Sequence, residues 1–230
     1  MIRIHPRRLL TMLSTMGVVA AVAPAQGAPT LRYQVNQKGD FVLFGNTLAH
    51  DCAGPAPIVG TVTGCSSGND QPDSPDLYWR SDAPAAGQAQ ASPSITPAQS
   101  RSTAMLVLPS GALVTKAFLY WSGSGVGNNN PDTQVTVDRP NVFSQDVTAT
   151  LTYTSTTNGG AYLGMAEVTT LLQQHGAGAY RISGVNSNLI NQEDRWAGWW
   201  MVVFYERDAD PIRNLALFDL FDYLQTNAPV

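Results

Sequence analysis

The chain has 230 residues, with 13 Lys and Arg against 17 Asp and Glu and only two cysteines. Three of the cations, Arg3, Arg7 and Arg8, lie in the first 27 residues, so the rest of the chain has a formal charge of 10 − 17 = −7. With its remaining cations scattered singly, that balance argues against nucleic acid or anionic lipid as a partner, because both are bound through clustered Lys and Arg.

The amino terminus has the three parts of an export signal. Arg3, Arg7 and Arg8 form a basic start, Leu9 to Ala23 is uncharged and mostly apolar, and Ala23-Pro24-Ala25 and Ala25-Gln26-Gly27 offer small residues for cleavage. Residues 1–27 are therefore expected to be a signal peptide, with the mature chain starting near Gln26 or Ala28 and being secreted or held at the cell surface. Ser14, Gly17 and the prolines break a stretch that falls short of the ~20 apolar residues a membrane span needs. No membrane span is expected in the mature chain. Arg7-Arg8-Leu9-Leu10 is only an incomplete match to a twin-arginine signal, so general secretion is the expected route.

Residues 28–230 are expected to form one β domain. Phe41 to Phe44 is the first short strand signal, followed by a long irregular stretch at about 51–99. Thr96-Pro97-Ala98-Gln99 reads as a capping box with proline at the first helical position, a single turn before a strand at Thr103 to Leu108. Val114 to Trp121 is apolar on both faces, and a second irregular stretch, Ser122 to Asp132, precedes a short alternating strand at Gln134 to Asp138. In the next segment Val147, Ala149, Leu151 and Tyr153 alternate with threonines, which predicts one half-buried antiparallel strand. It enters Asn158-Gly159-Gly160, a turn sequence that supplies positive φ, and so predicts a hairpin with Ala161 to Leu163.

Met165, Val168, Leu171 and Leu172 fall at helical spacing before Gly176, predicting a helix over Met165 to Gln174 with a glycine C-cap. Tyr180 to Val185, Gly198 to Tyr205 and Leu215 to Phe218 complete the strands. The run Gly-Trp-Trp-Met-Val-Val-Phe-Tyr at 198–205 must be covered on both faces. With no long amphipathic helix available, a second sheet is expected on one face and long loops on the other. The predicted fold is mainly β, an antiparallel β-sandwich or jelly roll with one short helix and long loops.

Candidate chemistry concentrates in the first irregular stretch. Cys52 and Cys65, two cysteines of an exported chain with twelve residues between them, predict one disulfide, worth about 3 kcal/mol for a loop of that size. Asp70, Asp73 and Asp76 recur every third residue and are candidate ligands for calcium, the one cofactor the sequence suggests, although turn-forming aspartates are the simpler reading and the EF-hand pattern is missing. Tyr78-Trp79 follows at once and is a candidate platform for a sugar ring or a partner's surface, whereas Trp121, Trp196, Trp199 and Trp200 read as core.

Gly64-Cys65-Ser66-Ser67-Gly68 matches the pattern of a hydrolase nucleophile elbow, but the turn-forming Asn69 to Pro75 supplies no helix after it. Nothing in spacing unites Glu167, Glu193, Asp194 and Glu206 into the paired carboxyls of a glycosidase. No catalytic residue is assigned.

One further pattern spans most of the mature chain. Ala197 to Glu206, then Asp210-Pro211 and Arg213 to Asp219, together with Gly39 to Thr47, Leu119-Tyr120-Trp121, Asp138-Arg139-Pro140 and Gly176 to Tyr180, resembles the amino-terminal region of adventurous-gliding-motility surface proteins and related large exported bacterial proteins. The resemblance implies an exported, surface-associated β-rich module at the start of a longer chain with repeats and a carboxy-terminal anchor. This sequence stops at Val230 with neither, so a shortened or freely secreted version is expected. The matching segments are strands and turns, and no catalytic residues are carried over. The expected role is non-enzymatic, linked to gliding motility or adhesion, with other surface proteins or glycans as partners. The alternative is a carbohydrate-binding module dependent on calcium.

Overall fold

The apolar run around 198–205 organises the molecule. A computed structural model describes residues 29–51, 77–83, 88–92, 99–124, 131–155, 160–186 and 196–221. In chain order the elements are β1 (Thr30–Asp51), β2 (Leu77–Ala83), β3 (Gln88–Ser92), β4 (Arg101–Leu106), β5 (Leu113–Ser124), β6 (Gln134–Arg139), β7 (Phe143–Thr148), β8 (Leu151–Ser155), β9 (Ala161–Glu167), α1 (Thr169–His175), β10 (Gly178–Ser183), β11 (Ala197–Glu206) and β12 (Ile212–Asp219). β11 sits in the middle of a large antiparallel sheet ordered β3-β2-β1-β11-β5-β9-β8, with β12 paired to β1, and a four-stranded sheet ordered β4-β10-β6-β7 packs against it. The fold is an antiparallel β-sandwich whose larger sheet curls into a half-barrel.

Both faces of β11 are buried, each by a different device. Trp199, Met201 and Val203 point between the sheets, where they join Trp121, Leu119, Tyr162, Tyr180, Ile182 and Val137 in the main core. Removing each such side chain from water contributes on the order of 1.5–3 kcal/mol. On the opposite face, Val202 and Phe204 join Phe118, Tyr120, Leu163, Met165 and Leu215 in a second cluster, with Tyr33, Val35 and Leu217 packed on it. The expectation of loops over this face is corrected: its cover is a ribbon made of the first half of β1 and β12. Thr30–Lys38 pairs with β12, and Gly39–Ala49 pairs with β11. The change of partner occurs at Gly39, whose φ is +146° and where a Cβ would lie 2.0 Å from the carbonyl oxygen of Tyr205, so only glycine fits. In the half of β1 before that bend, the ring of Tyr33 lies 5.0 Å from Phe204 and 6.0 Å from Phe118.

Three further expectations are revised. The stretch at 51–99 is not wholly irregular, since Leu77–Ala83 and Gln88–Ser92 pair as strands and Leu77–Trp79 pairs with the end of β1. The strand expected from Val147 to Tyr153 is two strands in different sheets. The amide of Ala149 donates to Thr133 O and that of Thr150 to Met165 O, both at 2.8 Å, so the chain changes sheet within two residues. Val147 faces the main core, whereas Leu151 and Tyr153 pack on the second cluster.

The helix begins at Thr169 rather than Met165, because β9 stays paired with β5 as far as Glu167. Its C-cap is the expected Gly176, at φ +59°, donating to Leu172 O at 2.8 Å. The hairpin predicted with Ala161–Leu163 forms, but between Leu151–Ser155 and Ala161–Met165 rather than from Val147. Of the predicted single turn at Thr96 to Gln99, only Gln99 falls within the described residues.

Candidate functional site

The strand registers bring to one end of the sandwich the described residues that flank the candidate regions. Ala161 lies opposite both Ser124 and Ser155, Ala197 opposite both Gly123 and Ala49, Leu77 opposite Asp51, and Ser183 opposite both Arg101 and Thr136. Residues 52–76, 125–130, 156–159 and 187–195 therefore leave and re-enter the described fold at this end. Cys52, Cys65, Ser66, Asp70, Asp73, Asp76, Glu193 and Asp194 belong to those segments and lie outside the described residues. Tyr78 and Trp79 are placed on β2 opposite His50 and Ala49, at the same end.

The rim of this end is a polar network. Asp132, just before β6, accepts hydrogen bonds from the amides of Asn186 (2.9 Å) and Gln134 (3.2 Å), and its backbone oxygen accepts from Trp121 Nε1 at 3.0 Å. Burial pushes the Asp132 carboxyl above its ordinary value, while the two amide hydrogen bonds pull it back. Tyr162 donates its hydroxyl to Asn186 O at 2.7 Å, and burial raises its pKa well above that of a free tyrosine.

Ser124 and Trp196 close the other side, the amide of Trp196 donating to Ser124 Oγ at 2.9 Å and that of Ser124 to Trp196 O at 3.0 Å. Trp196 was expected in the core but is 38% exposed on this rim. Trp121 and Trp199 are core as expected, and Trp200 is half-buried on the outer face, stacked on Tyr120 at 5.3 Å. Sequence spacing could not have joined Asp132 to Asn186, which are 54 residues apart.

The second cluster hides the most polar constellation of the described residues. Asp219, whose side chain is 1% exposed, accepts from Arg32 Nε at 2.5 Å and from the Tyr120 hydroxyl at 2.6 Å. Burial, and then the hydrogen bond to Asp219, raise the Tyr120 pKa far above its usual value, so the hydroxyl stays a donor. Both carboxylate oxygens are engaged, and the group ties the ribbon to the sheet.

Of the four candidate acids, Glu167 pairs with Lys116 Nζ at 2.6 Å and accepts from Thr169, which holds its carboxyl below the ordinary value. A general acid needs the opposite shift. Glu167 and Asp146 line one cleft of about 260 Å³. Another cleft, of about 540 Å³ at the far end of the sandwich, has Leu108, Pro109, Ala112, Leu113 and Leu172 in its wall, with Glu206 its one carboxylate. Among the described residues no three His, Cys, Asp or Glu converge as a metal site, and no helix is long and apolar enough to cross a membrane. No family model, curated protein or solved structure matches the chain.

Proposed function

We propose that this chain is an exported, non-enzymatic β-sandwich module of the cell surface or the extracellular medium, acting in adhesion or gliding motility through the end of the sandwich that carries Asp132, Asn186 and Trp196. The observation that carries the reading is that end itself: Asp132, Asn186, Tyr162, Ser124 and Trp196 are tied to one another by hydrogen bonds there, and binding residues are disproportionately found where a scaffold's strand ends are fixed in this way. The basic-apolar-small amino terminus supports export. Amino-terminal sequencing of the protein from culture medium and washed cell surface is the test. A mature start near Gln26 or Ala28, with adhesion or gliding reduced on deletion of the gene, is expected; retention of residues 1–27 in an intracellular protein overturns the reading.

A glycan-binding role is the second reading, favoured by Trp196 standing part-exposed on the rim at the end where the backbone of Tyr78 and Trp79 lies. Asp70, Asp73 and Asp76 are its candidate calcium ligands. Glycan-array binding lost in Trp196→Ala and in a Tyr78→Ala, Trp79→Ala double variant supports it, and binding that survives both removes the site. Calorimetric unfolding with calcium and with chelator tests the metal: a ligand of the folded state raises Tm, and equal Tm values leave the aspartates as turn residues.

A further inference from the structure

β1 serves both cores, and between its partners one edge has no strand partner among the described residues. β11 pairs with it from Gly39 to Ala49. On the edge away from β11, β2 pairs only with Ala49–Asp51, and pairing with β12 stops at Lys38. Among the described residues no strand pairs with residues 40–48 on that edge. Two amides mark its direction. Phe41 N–H donates to Asp40 Oδ1 and Thr47 N–H to Asn46 Oδ1, each at 2.9 Å, so both are capped by the preceding side chain. Gly39 N–H, two residues before Phe41, donates to Pro211 O at 3.4 Å. Backbone groups of a strand alternate between its two edges, so the N–H and C=O of Leu43 and Gly45 point the same way as those of Phe41 and Thr47. Phe41 is 48% and Leu43 61% exposed, and Gly45 is exposed beside them. An edge that no described strand covers, carrying large exposed apolar side chains, is a template for strand pairing, the feature that sheets ordinarily block with charge, bulges or proline.

We propose that this edge pairs antiparallel with the same edge of a second copy of the chain, about a two-fold axis through Leu43. The segment is self-complementary in that register. Leu43 meets its own counterpart, Phe41 lies opposite Gly45, and Asp40 lies opposite Asn46. The ring of Phe41 lies over the exposed backbone of Gly45, an aromatic over a glycine, which is a favoured cross-strand arrangement. No like charges are opposed. Each partner presents the same patch, as a closed two-fold dimer requires. The amides of Leu43 and Gly45 find acceptors across the axis, and Phe41 N–H exchanges its local cap for a strand partner. A pairing this short is smaller than a standard interface, so the dimer forms at high concentration and dissociates on dilution.

Sedimentation velocity on the full chain over a wide concentration range tests the proposal. A reversible monomer–dimer equilibrium is expected, weakened about tenfold or more by Leu43→Lys and unchanged by Leu113→Lys, which adds the same charge at another exposed leucine. Leu43 is largely exposed, so circular dichroism should show Leu43→Lys folded. Hydrogen exchange gives the second readout, with the amides of Leu43 and Gly45 gaining protection as concentration rises. A chain that is monomeric throughout, a dimer indifferent to Leu43→Lys, or concentration-dependent protection at another strand and none at Leu43 and Gly45 would each overturn the proposal.

Discussion

The two faces of β11 bury similar residues by different means. Between the sheets the cover is a second sheet, and the large side chains Trp121, Trp199, Tyr162 and Tyr180 fill the space. On the outer face the cover is a two-stranded ribbon, and at its outer end a buried carboxylate is held by an arginine and a tyrosine. Two strands alone make a weak lid, since an isolated pair is at best marginally stable. Hydrogen bonds donated by Arg32 and Tyr120 to Asp219 fasten the ribbon where shape and area are insufficient. The main core's buried polar bonds join neutral groups, as from Trp199 Nε1 to Ser102 Oγ, whereas the outer cluster adds a buried ion pair, so substitutions should separate the two.

The largest effect is expected from Trp121→Ala. It empties a fully buried site against Gly164, where even a Cβ would lie 2.4 Å from the indole, and should cost about 3–5 kcal/mol by denaturant unfolding. Asp219→Ala comes next, at about 2–3 kcal/mol, because it strands the Arg32 guanidinium and the Tyr120 hydroxyl. Arg32 keeps partial access to water, which limits the loss. If the ribbon is a separable lid, hydrogen exchange in Asp219→Ala should quicken in Thr30–Lys38 and β12 while the four-stranded sheet stays protected. Uniform quickening would mean that the two regions unfold as one.

An alkaline series sharpens the same contrast, because each region has a buried tyrosine. Burial lifts Tyr180 to about 12, and Tyr120 higher still. A raised folded-state pKa means that the stabilisation is complete below the unfolded value of about 10 and is lost as pH rises through the folded value. The denaturation midpoint should therefore fall above about pH 10, and Tyr120→Phe should reduce the fall while costing about 1 kcal/mol near neutrality. The smallest effect is expected at the surface pair Lys116–Glu167. Glu167→Gln should cost about 0.2–1 kcal/mol, measured as a shift in denaturation midpoint. Its lowered carboxyl stabilises above the ordinary glutamate range and ceases to do so as pH falls through the folded value, so wild type and variant should converge in acid.

Much of the layered architecture was legible in the sequence. The run at 198–205 demanded cover on both faces, and the absence of long amphipathic helices made a sandwich the natural solution. The identity of the second cover was hidden because Thr30 to Lys38 alternates weakly and its partner lies some 180 residues away. At Val147 to Tyr153 the period of two continues unbroken through the change of sheet, since alternation reports which side of the chain is apolar and not which sheet it has joined. Met165 suits a helix face and a buried strand equally, and the ladder between β5 and β9 decided for the strand. The rim at the candidate site was illegible for another reason: Asp132 and Asn186 are ordinary turn residues until the fold brings them together.

The bend at Gly39 also bears on the order in which the molecule is made. The strand leading out of the amino terminus finds its partners in β11 and β12, so Arg32 waits for a residue 187 positions later. During synthesis that strand emerges first and is satisfied last. Contacts of such long sequence separation slow folding, and the unpaired strand is a standing invitation to misassembly until the final segment arrives. A nascent chain that stops short of β11 lacks the centre of its larger sheet, so completion of the fold is coupled to delivery of the whole polypeptide.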